Sequence, residues 1–343
     1  MAGARLQDVA ERVGVSLATA SLALSGKGRI SVEVREKIFA AADTLGYRAR
    51  SAQRVRPTAA QCPVGIVYPD DRSHEWFFTR PILIEIELAM LREGFAPVMV
   101  PVSALAGRGQ TLHIVETCGL CAVFSVQFGE ESLFEDLERR GTYLVVVNNS
   151  NFQDRHYSVC VDDFQGAYEG AQHLVSLGHR VIAFVEYERP DMPVLIADRF
   201  VGFRKALDEN ALPFSADHRV TIPFIDSKRL VERLESLFSR SDRPTAIFAH
   251  DDYLGLYVIM ALRELGLRVP DDVSLIAPGD VLDYSLPGQP QITTMRINSS
   301  LLGRIAGSLM LERFRHAHED VHVLKVKEQL VKRASCRSIA GGR

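Results

Sequence analysis

No run of 18 or more apolar residues occurs in the 343-residue chain, so no transmembrane helix is expected. Cysteine is sparse and odd in number, five in all. That count suits a reducing cytoplasm better than a disulfide framework. The first residues, MAGARLQDVAERVGVS, lack a basic start followed by an apolar core segment, so they do not read as a secretory signal. There is no His-Glu-x-x-His and no Gly-x-Ser-x-Gly, and Gly-Arg-Gly at 107–109 is not a P-loop. Cys118 and Cys121 form a Cys-x-x-Cys, but a structural zinc site needs two more ligands at suitable spacing. Cys121 opens an apolar strand, which favours a buried structural role. His113, His173 and His179 stand singly in helix or turn contexts. No catalytic constellation emerges; the chain is not expected to be an enzyme, and no metal or cofactor is expected.

What is present is ordinary for a soluble globular protein. The hydrophobic fraction is 47% and the charged fraction 24%, enough to build full cores. At roughly 100–200 residues per domain, two or three domains are expected. The net charge of −3 hides an asymmetry. Residues 1–57 carry ten Lys or Arg against five Asp or Glu, a net +5, and the remainder is net −8. A basic head on an acidic body is the electrostatic footprint of a nucleic-acid binder; a merely solvated basic surface would look the same by charge alone.

The head reads as three short helices. Leu6, Val9, Ala10 and Val13 recur at i, i+3, i+4, i+7, one apolar stripe. Gly14 breaks that helix, and Ser16 caps a second, about Leu17 to Leu24, by accepting from a freed backbone N–H. Gly26 and Gly28 end it. Ser31 caps a third helix whose inward face is Val34, Ile38, Ala41, Ala42 and Leu45. Two short helices joined at a glycine, with a third behind, are the helix-turn-helix layout, in which the second helix enters the major groove. A generic three-helix bundle has the same pattern.

The string LQDVAERVGVSLATASLALSGKGRISVEVREKIFAAADTLGYRAR resembles the DNA-binding head of the lactose/purine repressor (LacI-type) family of bacterial transcription regulators. The resemblance is carried by Asp8–Ala10, Gly14–Ser16, Ala18, Thr19, Ser21, the pair Ser31 and Arg35, and Leu45–Tyr47. It implies sequence-specific operator binding by a dimer. By that match Leu17, Ala18 and Leu22 point at base edges. Ser16, Thr19, Ser21, Ser25, Arg29 and Ser31 lie where the family meets phosphates, contacts that position rather than specify. The reading positions depart from the usual pattern. Leu17, Ala18 and Leu22 cannot bond guanine or adenine bidentately and can only pack on thymine methyls or leave a gap. Helix packing is the competing role for these leucines, and it is preferred for Leu24.

Residues 48–60 form the expected hinge. The family has a short helix here that begins with Pro-Asn and ends with a Leu wedged between base pairs. In this chain Ala49 and Arg50 stand at the Pro-Asn places and Arg56 where the Leu would be. An apolar wedge is one way to bend DNA, and arginine in a narrow minor groove is another way to read it. Arg50, Arg54 and Arg56 are therefore expected to bind by charge, with Val55 the only candidate wedge. An unstructured basic linker is the equal alternative.

From Val64 onward short β-rich runs alternate with amphipathic stretches. The candidate strands lie at 64–68, 97–102, 121–126, 143–147, 157–161, 181–185, 246–249 and 273–277. Such alternation argues for parallel sheets in an α/β fold, with ligands beyond the carboxyl ends of the strands. The resemblance continues through LVSLGHRVIAFV, RFVGFRKAL, LRELGLRVPDDVSL and QLVKRASC. It implies a helix-turn-helix domain at 1–47, the hinge, and a periplasmic-binding-protein-like body at 61–343. The two subdomains of that body would hold 61–160 with 297–327, and 161–296 with 328–343.

The same resemblance implies a small-molecule effector in the cleft between subdomains. Arg199, in the family's Arg-x-x-Gly-Phe run, would hold hydroxyls or carboxylates with its planar fork, a surface salt bridge being the other role. Asp251 stands after a strand where the family often has Asn; it also suits an N-cap, a role that explains Asp252 better. Gln127 and Asn148 end strands. Trp76, Phe77 and Phe78 follow the first strand, where Phe77 would stack on a ring while at least two of the three serve core or interface. The family's Gly-Tyr/Phe-Asp-Asp reads Ala277-Pro278-Gly279-Asp280 here, which removes the first carboxylate and leaves Asp280 as its candidate replacement.

The reading is a cytoplasmic homodimeric regulator, most simply a repressor. Its partners are a near-palindromic double-stranded DNA operator and a small effector such as a sugar or related metabolite, with no membrane. Control by a protein partner and a cytoplasmic solute-binding protein are the alternatives.

Overall fold

The computed structural model describes residues 5–24, 30–45, 62–69, 75–102, 107–188, 198–224, 226–315 and 321–339. Helices α1 (Leu6–Val13), α2 (Leu17–Leu24) and α3 (Val32–Leu45) form the head, as the apolar spacing predicts. Asp8 accepts from the Arg5 N–H at 2.6 Å at the start of α1. Gly14 ends α1 in the left-handed region at φ +74°, where a side chain would be strained. Ser16 Oγ accepts from the Thr19 N–H at 3.0 Å and starts α2. Val9, Ala23, Ile38, Ala41 and Ala42 make the head's core, with Leu24 and Leu45 packed against it.

The body has two six-stranded sheets, each strand introduced here by its range. The first contains β1 (Val64–Pro69), β2 (Pro97–Val102), β3 (Ala122–Val126), β4 (Tyr143–Val147), β5 (Ser158–Val161) and β11 (Val323–Val326), in the order β11-β5-β4-β3-β1-β2. The second contains β6 (Ile182–Tyr187), β7 (Arg219–Ile222), β8 (Ala246–Ala249), β9 (Ser274–Gly279), β10 (Thr293–Arg296) and β12 (Gln329–Val331), in the order β12-β10-β9-β8-β6-β7. Pairing is parallel for β1 with β2 and β3, for β6 with β7 and β8, and for β9 with β10; β10 and β12 run antiparallel. The chain passes from the first sheet to the second after β5, returns after β10 and passes again after β11. Helices join the strands: α4 (Glu75–Arg92), α5 (Gly107–Thr117), α6 (Glu131–Arg139), α7 (Asp163–Ser176), α8 (Asp198–Glu209), α9 (Ser227–Phe238), α10 (Asp252–Glu264) and α11 (Ser299–Arg315). This is the α/β body with parallel sheets that the sequence predicts, carrying an all-α head.

The chain divides into two compact units. One comprises Met1–Asp70, Glu87–Val145 and Gly307–Val321, the other Asp71–Ile86, Val146–Ala306 and His322–Arg343. In the second unit one apolar layer packs α9 and α10 on the sheet through Leu230, Leu234, Leu254 and Val258. The opposite layer packs α7 and α8 through Ala167, Ala171, Phe203 and Phe248. Gly202 lets α8 approach α7 closely, because a Cβ there would run into the Phe164 carbonyl.

Cys62 and Cys121 stand side by side, with Cα atoms 5.2 Å apart at the starts of neighbouring strands β1 and β3, as parallel neighbours with matched starts require. Cys118, Cys160 and Cys336 are free, and burial pushes the Cys160 thiol up to about 12.

Candidate nucleic-acid interface and effector site

On the head, Ser16, Leu17, Ala18, Ser21, Leu22 and Ser31 are exposed and Thr19 is half-buried. Ala20 and Ala23 face the core. Leu17 is 52% and Leu22 41% exposed, unusual values for leucine on a well-packed helix. Leu24 lies on the packed side. The hydroxyls of Ser16 and Thr19 bond each other at 2.7 Å, and Ser31 Oγ stands 3.4 Å from the Val34 N–H at the start of α3. These hydroxyls thus hold helix starts while staying at the surface. Ser25, Arg29, Arg50, Arg54 and Arg56 lie outside the described residues.

In the second unit, Arg199 sits in the first turn of α8, and its side chain is only 15% exposed. Its Nε donates to Asp163 Oδ1 at 2.7 Å and its Nη1 to the His250 carbonyl at 2.6 Å. The Arg-x-x-Gly-Phe run therefore divides its labour: Arg199 reaches the strand end, Gly202 permits close helix packing, and Phe203 fills the core. Burial opposes the Arg199 charge, but Asp163, Glu328 and Asp251 outweigh it and hold the guanidinium protonated.

Asp251 follows β8 and caps α10, its Oδ1 accepting from the Leu254 N–H at 2.7 Å. It shares the electrostatic neighbourhood of Arg199. The cap role expected of Asp252 belongs to Asp251 instead. Asp252 is buried, and its Oδ2 accepts from the N–H groups of Val281 and Leu282 at 2.8 and 3.3 Å. Burial, opposed by those bonds, pushes its carboxyl up to about 6.

Asp280 stands between two arginines. Its side chain is only 7% exposed, with one oxygen on Arg296 Nε and the other 2.5 Å from Arg333 Nη2. Arg333 also donates to the Ile292 carbonyl and stacks on Tyr284, 3.7 Å from the ring centre. Each oxygen of this carboxylate thus meets one arginine, and the pair fastens the loop after β9. Gly279 has φ +128°, and a Cβ there would meet Asp252 Oδ1 at 2.6 Å.

Gln127 and Asn148 end β3 and β4 in the left-handed region, at φ +52° and +55°. Both are half-buried, and the Asn148 N–H donates to the Val159 carbonyl at 2.7 Å. Phe77, in the first turns of α4, is 61% exposed. Gln127 and Asn148 directly follow parallel strands, and Phe77 lies in the helix that follows β1 in the chain.

Sequence reasoning missed Asp163 and Glu328. Glu328, between β11 and β12, is buried, with its carboxyl in the neighbourhood of Asp163 and Arg199. Burial raises its pKa well above the ordinary value, against the pull of Arg199 and with the push of Asp163. Its carboxyl lies against Gly166, where a Cβ would strike it. An acidic pair of residues after a strand, Asp162-Asp163, was the available signal for part of this cluster. No group of three or more His, Cys, Asp or Glu among the described residues could hold a metal ion. No described helix is long and apolar enough to cross a membrane.

The family model described as bacterial regulatory proteins, lacI family, matches residues 5–49, the whole described head. A periplasmic binding protein-like domain matches residues 171–336. The chain carries a lacI-family head and a periplasmic binding protein-like domain. Among its relatives, the HTH-type transcriptional repressor PurR of Pectobacterium atrosepticum is 27% identical, over 99% of this chain and 98% of its own length. A solved transcriptional regulator CelR–cellobiose complex matches with TM-score 0.69 at 23% identity, covering 97% of this chain and 99% of its own. The lac repressor dimer bound to operator and the anti-inducer ONPF matches with TM-score 0.67 at 22% identity, covering 98% and 100%. These relatives are transcription regulators and not enzymes, and the lacI-type head with the periplasmic binding protein-like domain makes this chain a DNA-binding regulator with a ligand-binding body.

Proposed function

We propose that this regulator binds a near-palindromic double-stranded operator as a homodimer and acts as a repressor controlled by a small effector, a sugar or related metabolite. The observation that carries it is the exposed face of α2 on a head that the lacI model matches end to end. Ser16, Thr19, Ser21, Ser25, Arg29 and Ser31 take phosphates; Leu17, Ala18 and Leu22 face the bases; Arg50, Arg54 and Arg56 add the charge of the hinge. The domains are 1–47, 48–60 and 61–343. An apolar stripe on α4, Ile84, Leu88 and Leu91, is exposed and supports pairing of two copies. Such a regulator works in the cytoplasm, where its DNA is.

In the body Arg199 and Asp251 form the charged end of the effector site, with Phe77, Gln127 and Asn148 as its further lining. An effector changes DNA affinity only by the difference between its affinities for the two states of the protein. Capture of fragmented genomic DNA by the purified protein, with sequencing of the retained fragments, tests the first half. A shared near-palindrome supports it, and retention without a shared site overturns it. A thermal-shift screen against sugars and related metabolites tests the second half, because a true effector stabilises by mass action. The occupied carboxylate of Asp280 favours one other reading, control by a protein partner, and absence of any small-molecule stabilisation would bring that reading forward.

A further inference from the structure

Helix α2 carries no charged residue from Leu17 to Leu24. At about 100° per residue, Leu17, Ser21, Ala18 and Leu22 occupy one continuous arc of about 140°. Those four are the exposed residues of the helix, and Ala20 and Ala23 bury the opposite side. The arc is therefore an apolar surface with a single hydroxyl, Ser21, which both donates and accepts and so discriminates weakly between bases. Nothing in it can make the bidentate bonds by which guanine or adenine is read. The one apolar feature of a base edge in the major groove is the C5 methyl of thymine. The occupant that fits is a duplex: the chain's first 57 residues are net +5, and serines and Thr19 rim the arc.

We propose that the head reads operator DNA through the C5 methyl groups of pyrimidines, with Leu17, Ala18 and Leu22 packing on them. The inference rests on the DNA-binding reading above and names the chemistry of that same face. Leu17 and Leu22 are five residues apart, about 7.5 Å along the helix, or about two base-pair steps when it lies along the groove. Each half-site therefore presents C5 methyls about two steps apart. The methyl of 5-methylcytosine occupies the same edge position as that of thymine. Cytosine methylation at a contacted step is thus read as a thymine-like methyl, which makes binding sensitive to DNA methylation.

The test uses the full chain and a random duplex library to select bound sites. Each thymine of the selected half-site is then replaced by uracil, which removes only the methyl. At two or three positions per half-site, uracil is expected to weaken binding about fourfold each, the worth of one buried methyl. At those positions 5-methylcytosine is expected to bind more tightly than cytosine. Leu17→Ala and Leu22→Ala should each abolish the thymine–uracil difference at one position without lowering the thermal midpoint, since both side chains are exposed. Selective binding that is indifferent to uracil throughout the half-site overturns the inference and leaves the DNA-binding reading standing. A library with no enriched sequence overturns that reading, and this inference with it.

Discussion

A Cβ on Gly279 would stand 2.6 Å from Asp252 Oδ1, and Gly279 itself holds φ +128°. The position where the family resemblance implies an effector-binding carboxylate is thus closed twice, by backbone conformation and by a buried neighbour. The Asp252 carboxylate cannot move away, because it accepts from the N–H groups of Val281 and Leu282.

Restoring the family carboxylate should therefore fail. Gly279→Asp is expected to destabilise the chain by about 2–4 kcal/mol through strain and a second buried charge. A double variant, Gly279→Asp with Asp252→Ala, should show clear non-additivity in denaturant midpoints, since the two residues share one space.

Asp252 makes stability fall as pH rises from about 4 to about 6. Its carboxyl in the folded chain is raised from 3.8 to about 6, so in that window the folded state holds a proton that the unfolded state has released. The group's contribution is fully favourable below its unfolded value and is lost as pH passes the folded one. The loss at neutral pH is on the order of 3 kcal/mol. Asp252→Asn keeps an acceptor for the loop and should flatten this slope, seen in urea midpoints measured from pH 4 to 7.

Glu328→Gln should raise stability at neutral pH, because it removes a carboxyl whose ionisation burial and Asp163 both oppose. Acidification above the ordinary carboxylate range should stabilise the parent more than the variant, as its raised pKa requires. Thermal midpoints at two pH values decide it.

Arg199 and Asp251 can be told apart by paired readouts. Arg199→Lys loses the planar fork that spans Asp163 and the His250 carbonyl, and should cost about 1.5–3 kcal/mol together with the response to effector. Asp251→Asn keeps the cap of α10, so stability should stay within about 0.5 kcal/mol. Loss of ligand-induced thermal shift in that variant then reports on ligand contact alone.

Replacing Arg50, Arg54 and Arg56 together by alanine should weaken DNA binding at low salt and flatten its dependence on salt. The slope of log K against log salt is expected to drop by about one for each phosphate that is no longer neutralised. An unchanged slope would assign those arginines to solvent.

Much of the framework is legible in the sequence. The i, i+3, i+4, i+7 stripe of α1, the glycine after it and the serine caps place the head's helices, because local spacing and capping depend only on neighbouring residues. The eight apolar runs form strands for the same reason. Strands β7, β10, β11 and β12 are not legible in this way. They are three or four residues long and carry Arg, Lys, Thr or Gln, so their pairing comes from a neighbouring strand rather than from their own pattern.

The sequence by itself determined the class of head, the alternation of strand and helix, and the apolar character of Leu17, Ala18 and Leu22, since each is written in local periodicity and residue type. Tertiary structure alone decided the roles of the carboxylates. Asp251 and Asp252 are adjacent and chemically identical, yet one caps a helix and the other pins a loop from 30 residues away. Asp280 is held by two arginines, 16 and 53 residues further along the chain. A carboxylate's function depends on its burial and on which donors reach it, and those are set by the packing of segments distant in the chain.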